Sequence, residues 1–256
     1  MKIIKSIIIS FSLYSKIPMP IFEWDEENMK HAITFLPFVG AVIGGLSYLL
    51  LYVGVRLSLP VMVITLLMTA LPLIVTGGFH VDGFMDVQDA LHSYQPKEKK
   101  LEIMKDPHIG AFAVISAGTL LIIWLAALYL ILGTAIACAD YSHVYVYMAV
   151  FFFIRALCGI TCIVFKNAKK DGMLNMETGK SSSGDVIFLS IQAILAVAFM
   201  LYLNLMAGIV CGAAGCLFCL WYKKLCDEQF GGVSGDTAGF FVVMGEAFLL
   251  IVLAIL

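Results

Sequence analysis

The strongest constraint on this chain is a series of apolar segments, each about as long as a lipid bilayer is thick. They run at about 33–54, 60–79, 110–132, 142–165, 185–203, 205–223 and 238–256, and a helix needs about 20 apolar residues to cross hydrocarbon. Lipid offers no partners to backbone N–H and C=O groups, so such segments must satisfy them internally as helices. Composition agrees. Hydrophobic residues make up 61% and charged residues 13%, with a mean hydropathy of +0.98, against about 25% charged residues in soluble domains. The predicted fold is all-α: one integral membrane domain over residues 1–256, a polytopic bundle of about seven transmembrane helices. A net charge of -2 leaves no broad basic surface for nucleic acid. The expected surroundings are a lipid bilayer, and a homo-oligomer is compatible with such a chain.

Residues 1–22 lie ahead of the first span. Ile3, Ile4, Ile7, Ile8, Phe11 and Tyr14 alternate with Lys2, Lys5, Ser6, Ser10 and Ser15 at helical spacing. The apolar part is short and no small-residue cleavage site follows, so a helix in the membrane interface is expected rather than a signal peptide. Pro18 and Pro20 are expected to end it. Basic residues then give an orientation, because cytoplasmic loops collect them. With the N-terminus inside, 14 of the 16 Lys and Arg fall on the inner side, Arg56 stays outside, and Arg155 lies within a span. Segments 80–109, 166–184 and 224–237 then face the cytoplasm, and the C-terminus lies outside. Those segments hold most of the groups capable of chemistry.

Asp82, Asp86 and Asp89 recur at i, i+4 and i+7, which on a helix aligns them on one face. Such acids either hold a hard cation such as Mg²⁺, which favours carboxylate oxygens, or form a solvated helix start favoured by the macrodipole. His80 beside them is a packing, capping or binding residue. In Pro96–Gly110, Pro96 suits a helix start, and Asp106 before Pro107 should end that helix. Asp106 is then either a terminator or a further ligand that turns back to the trio, with Lys105 or His108 near a phosphate. Arg155, about ten residues into its span, demands a partner or a ligand, since a charge in hydrocarbon is costly. Glu246, in the last span, is a second such charge.

Two further stretches invite comparison with phosphate sites. Gly179-Lys180-Ser181 suggests a P-loop, but Leu174 stands where its first glycine belongs and no strand precedes it. A basic, phosphate-facing loop and a plain solvated loop both remain. Gly231, Gly232 and Gly235 allow close backbone approach to an anion, and Asp236 either caps the last helix or binds a cation. The seven cysteines read as small hydrophobes, since Cys216-x-x-Cys219 has no second pair to complete a zinc site.

Together these stretches resemble the cobalamin synthase family, the adenosylcobinamide-GDP ribazoletransferases. The resemblance rests on H-x-D-G-x-x-D-x-x-D at His80–Asp89, on Glu102-Ile103-Met104-Lys105-Asp106 followed by Ile109-Gly110, and on Gly235-Asp236-Thr237. Leu13–Pro20 and Pro37-Phe38-Val39-Gly40 also take part, with Lys16 where the family has Arg. The resemblance implies a prokaryotic inner-membrane enzyme that joins adenosylcobinamide-GDP to α-ribazole or its 5'-phosphate, releases GMP and requires Mg²⁺. On that footing Asp82, Asp86, Asp89 and Asp106 are the expected metal ligands. Asp236 is a further ligand or the base, so Asp236, Asp89 and Lys105 are the expected catalytic groups. Lys105, Arg155 and Lys180 are expected to meet phosphate charge, with His80 and Gly235 as further substrate contacts. Two other classes place acids in membranes. A CDP-alcohol phosphotransferase-like enzyme would need an Ala-Arg pair that does not follow Asp82-Gly83 here, and a cation-coupled transporter would favour acids at the bilayer midplane and a repeated architecture.

Overall fold

The computed structural model describes residues 2–22, 24, 29, 31–168, 174, 178–179 and 181–256. Helix α1 (Lys2–Tyr14) is followed by a 3₁₀ turn at Ala32–Phe35 and the long α2 (Leu36–Arg56). Then come α3 (Val61–Thr76), α4 (Phe79–His92) and the short α5 (Lys97–Ile103). The chain continues with α6 (Ala111–Cys138), α7 (Ser142–Val164), α8 (Ser183–Leu203), α9 (Leu205–Gln229) and α10 (Gly235–Ile255). No strand occurs among the described residues, apart from one isolated bridge between Asn167 and Val233. The polytopic helical fold is as expected.

Among the described residues, six helices are long and apolar enough to span a bilayer. The expected second span at 60–79 differs. Its helix is α3, 16 residues long, and the chain then turns by 93° into α4. Gly77 and Gly78 cause the turn: both sit at positive φ, 64° and 82°, where a side chain would be strained. Connectivity makes α3 a seventh, short crossing. It starts beside the end of α2, where the Leu59 N–H donates to the Gly54 carbonyl (2.9 Å), and it finishes where the Lys16 N–H donates to the Val75 carbonyl (2.7 Å). Helix α4 lies across the end of the bundle, outside the spans. Its Phe84, Val87 and Ala90 are buried while Asp82 is exposed, an amphipathic pattern suited to that position.

Helix α7 is the hub. It packs along α2, α8 and α10 and is 72% buried over its apolar window, against 28% for α8, whose outer face is left to lipid. Helix α1 stops at Tyr14, earlier than Pro18 and Pro20 would require. The cause is local: the Ser15 hydroxyl donates back to the Phe11 carbonyl (2.6 Å), and Lys16 is drawn into pairing with Val75. Ser6, Ile9, Ser10 and Tyr14 face inward while Ile3 and Ile4 remain exposed.

The polar segments meet at one end of the bundle. Lys97 Nζ donates to the Asp227 carbonyl (2.8 Å) and Lys100 Nζ to Gln229 Oε1 (2.5 Å), so α5 is tied to the end of α9. Ala168 N–H donates to the Val233 carbonyl (2.7 Å) and Val233 N–H to the Lys166 carbonyl (2.8 Å), latching the end of α7 to the approach to α10. A side chain at Gly232 would strike the Lys166 carbonyl, so this latch needs glycine.

Candidate functional site

The site is built where α4 crosses α10. A Cβ on Gly83 would lie 2.8 Å from the Asp236 carbonyl oxygen, and one on Gly239 would lie 2.8 Å from the His80 carbonyl. These glycines allow the close approach of the two helices, and the contact brings Asp236 to the face that carries Asp82 and Asp86. Phe84 stacks on Phe240 one turn further along (5.9 Å, 11°). The start of α10 is held by a capping box. Ser234 Oγ accepts from Thr237 N–H (3.2 Å), Thr237 Oγ1 accepts from Ser234 N–H (2.8 Å), and Tyr222 donates its hydroxyl to Thr237 Oγ1 (3.0 Å).

Crowding of these acids has an electrostatic cost. Burial, with the charges of Asp82, Asp236 and Asp89, pushes the Asp86 carboxyl up to about 6. Asp82 and Asp86 therefore do share a face, and Asp236 joins them from another helix. Asp89 lies on the same stripe, two turns from Asp82 and one turn beyond Asp86, where α4 meets α6. Its Oδ2 accepts from Gly110 N–H and its Oδ1 from Ala113 N–H, both at 2.7 Å. It is thus a cap for α6 supplied from another helix. Gly110 is required there, since a Cβ would fall 2.6 Å from the Asp89 carboxylate.

The remaining expected residues are placed as follows. Asp106 is exposed and accepts from the His108 N–H (3.0 Å) with the His108 ring at 2.6 Å, contacts that hold its carboxyl below the usual range. Lys105 is exposed beyond the end of α5, and Gly235 is exposed at the first turn of α10. Arg155 is buried on α7, paired with Glu246 on α10 and donating to the Phe151 carbonyl (3.0 Å). The two intramembrane charges thus answer one another. His80 is 5% exposed and stacks on Tyr14 (6.1 Å, 20°); burial and the Arg155 charge lower its pKa. Lys180 lies outside the described residues.

One basic residue was noted in the sequence only as standing where the family has Arg, without a role. Lys16 runs over Gly77 and shares a polar pocket of about 430 Å³ with Ser15, Gly78 and Asp82. Among the described residues no three His, Cys, Asp or Glu side chains form a closed metal cage. The donor set still fits a hard divalent cation. Mg²⁺ commonly takes only one or two carboxylates and completes its shell with water and substrate phosphate, and Asp86 is held among like charges.

A family model described as cobalamin-5-phosphate synthase matches residues 6–254 of this sequence. The chain belongs to that family. Curated relatives agree along its length. An adenosylcobinamide-GDP ribazoletransferase of Lachnoclostridium phytofermentans is 39% identical, covering 96% of this chain and 92% of its own. One of Clostridium perfringens strain 13 is 34% identical over 94% of each chain, and one of Clostridium botulinum strain Langeland is 32% identical over 98% of each. No solved structure matches. In this cobalamin synthase family member, the residues of the H-x-D-G run have distinct tasks: Asp82 and Asp86 face the site, Gly83 admits α10, and Asp89 secures α6.

Proposed function

We propose that this chain is a Mg²⁺-dependent membrane transferase that joins adenosylcobinamide-GDP to α-ribazole or α-ribazole 5'-phosphate and releases GMP. The observation that carries the reading is the gathering of Asp82, Asp86 and Asp236 at the Gly83–Gly239 crossing, beside Lys16. A ribose hydroxyl attacks the phosphorus on the corrinoid side of the pyrophosphate; its P–O bond forms as the bond to GMP breaks. A divalent cation held by Asp82, Asp86 and Asp236 would offset the charge of the pyrophosphate and the departing phosphate. The hydroxyl proton passes to a carboxylate oxygen of Asp86 or Asp236. Lys16 Nζ and the backbone at Gly77-Gly78 bind phosphate oxygens.

The enzyme is proposed to sit in the prokaryotic cytoplasmic membrane, with its N-terminus and acidic site facing the cytoplasm and its C-terminus outside. The clustering of Lys16, Lys97, Lys99, Lys100, Lys105, Lys166, Lys223 and Lys224 at the site end, against Arg56 at the other, supports that orientation.

The test is GMP release by detergent-purified protein supplied with adenosylcobinamide-GDP, α-ribazole and Mg²⁺. No turnover by folded protein refutes the reading. Asp82→Asn should abolish metal-dependent turnover without loss of expression, and replacing α-ribazole by its 5'-phosphate ranks the two nucleophiles by kcat/KM.

A further inference from the structure

Behind α4 lies a pocket of about 390 Å³, lined by α3, α4, α6, α7 and α10 and open on the side where Leu73, Val114 and Leu121 are exposed. Its walls are almost wholly apolar, yet buried polar atoms are set into them. Thr69 Oγ1, His80 Nδ1 and Arg155 Nε have no hydrogen-bond partner among the described residues, and the three residues are 9%, 5% and 1% exposed. Thr69 differs from its neighbours in α3. Thr65 and Thr76 return their hydroxyls to the carbonyls four residues back (2.9 and 2.8 Å), whereas Thr69 does not. Buried polar groups are normally satisfied, so this cavity suits an occupant with an apolar body and a few hydrogen-bonding atoms. Arg155 Nε can only donate, so the occupant must bring an acceptor. A lipid acyl chain would match the walls and leave these groups unmet.

Position and size narrow the choice. The cavity shares Leu73, Thr76, Val81 and Met85 with the polar pocket that holds Lys16 and Asp82, so the two spaces adjoin through the α3–α4 bend. Small-molecule pockets run from about 300 to 1,000 Å³, and a nucleoside falls at the lower end. A corrin ring with its amide arms does not fit 390 Å³. Of the two proposed substrates, only α-ribazole combines an apolar dimethylbenzimidazole, a ring nitrogen that accepts, and ribose hydroxyls.

We infer that this cavity seats the benzimidazole base of α-ribazole, with the ribose directed through the shared wall toward Asp82 and Asp86. The inference rests on the reading of the chain as a ribazoletransferase. It divides the substrates between two spaces: the nucleoside base behind α4, and the corrinoid and its pyrophosphate in front.

Gly118 lines the pocket on its open α6 side, and a Cβ there meets no atom within 4 Å, so Gly118→Leu adds bulk at the pocket mouth without moving backbone. Gly133 on the same helix is equally open and lies outside the cavity, which makes Gly133→Leu the control. With full-length protein in detergent, Gly118→Leu should raise the KM for α-ribazole about tenfold or more. The KM for adenosylcobinamide-GDP should stay within about twofold, and Gly133→Leu should match wild type. Thr69→Val keeps the shape, removes the hydroxyl, and should raise the α-ribazole KM several-fold. It decides alone if Gly118→Leu does not fold.

An α-ribazole KM unmoved by these changes, or a rise in the corrinoid KM in its place, overturns the assignment while transferase activity stands. A phospholipid retained by wild type and lost from Gly118→Leu, with the α-ribazole KM unmoved, would give the cavity to a lipid chain. Absence of turnover by folded wild-type protein overturns the function and this assignment together.

Discussion

Replacing Asp89 separates two tasks that a carboxylate in this position can perform. Both of its oxygens accept backbone N–H groups at the start of α6, from Gly110 and Ala113 at 2.7 Å. A hydrogen bond to a charged group contributes about 1.5–3 kcal/mol, and Asp89 is half-buried, which favours the lower part of that range. Asp89→Ala should therefore cost ~2–4 kcal/mol of local stability at the α6 N-terminus, with further loss of the favourable helix-dipole contact. Hydrogen–deuterium exchange of the 110–114 amides should accelerate roughly 30-fold or more, since about 1.4 kcal/mol is tenfold. Peptides from α2 serve as the internal reference. Asp89→Asn keeps one acceptor and turns an N–H toward the other donor, so it should fall between wild type and alanine. Divalent-metal affinity should change far less than in Asp82→Asn. Unchanged exchange at 110–114 in Asp89→Ala would refute the capping role, and an equal loss of metal affinity in the Asp89 and Asp82 variants would return Asp89 to the ligand set.

Asp86, pushed up to about 6 by burial and its acidic neighbours, holds its proton to higher pH than a free carboxyl. A cation must displace that proton, so Mn²⁺ or Mg²⁺ affinity measured by calorimetry should rise about tenfold from pH 5 to 7 and level off above; Asp86→Asn should flatten the profile. The sign for stability is opposite. With chelator present the folded state binds the extra proton between its unfolded and folded pKa values, so thermal stability should fall as pH rises through about 6. Gly83→Ala places a methyl 2.8 Å from the Asp236 carbonyl and should abolish turnover by spreading α4 from α10, visible as lost activity with retained expression. Arg155→Met should destabilise the bundle by about 3–5 kcal/mol by leaving Glu246 unpaired in the interior, while the double change with Glu246→Leu should recover most of it in denaturation assays.

The spans were legible because hydropathy acts locally: a run such as 238–256 must be helical and buried wherever it packs. The bend at Gly77-Gly78 was less so, since two glycines after an apolar run fit a helix end as well as a right-angle turn. The carboxylate stripe was readable as a stripe, but its division was not. Which helix crosses at Gly83 and which begins at Asp89 is a long-range fact, and it separates Asp89 from Asp82 and Asp86. Arg155 and Glu246 each announced a need for a partner through the cost of burial, while their pairing across α7 and α10 depended on the packing. Asp106 pointed outward because His108, two residues on, offers it a nearer partner than the trio does.

The shortness of α3 bears on the membrane itself. Sixteen residues rise about 24 Å, against about 30 Å for the hydrocarbon core. The bend into α4 therefore sits several ångströms below the plane that the longer helices reach, unless the lipid compresses to meet it. The acidic site at the end of this shorter crossing therefore lies nearer the hydrocarbon than the ends of the longer helices do. Hydrophobic mismatch becomes a setting on the enzyme: short-chain lipids bring the membrane surface down to the carboxylates, and long-chain lipids stretch or bury them. Reconstitution across a series of acyl-chain lengths should yield a turnover optimum at the thinner end.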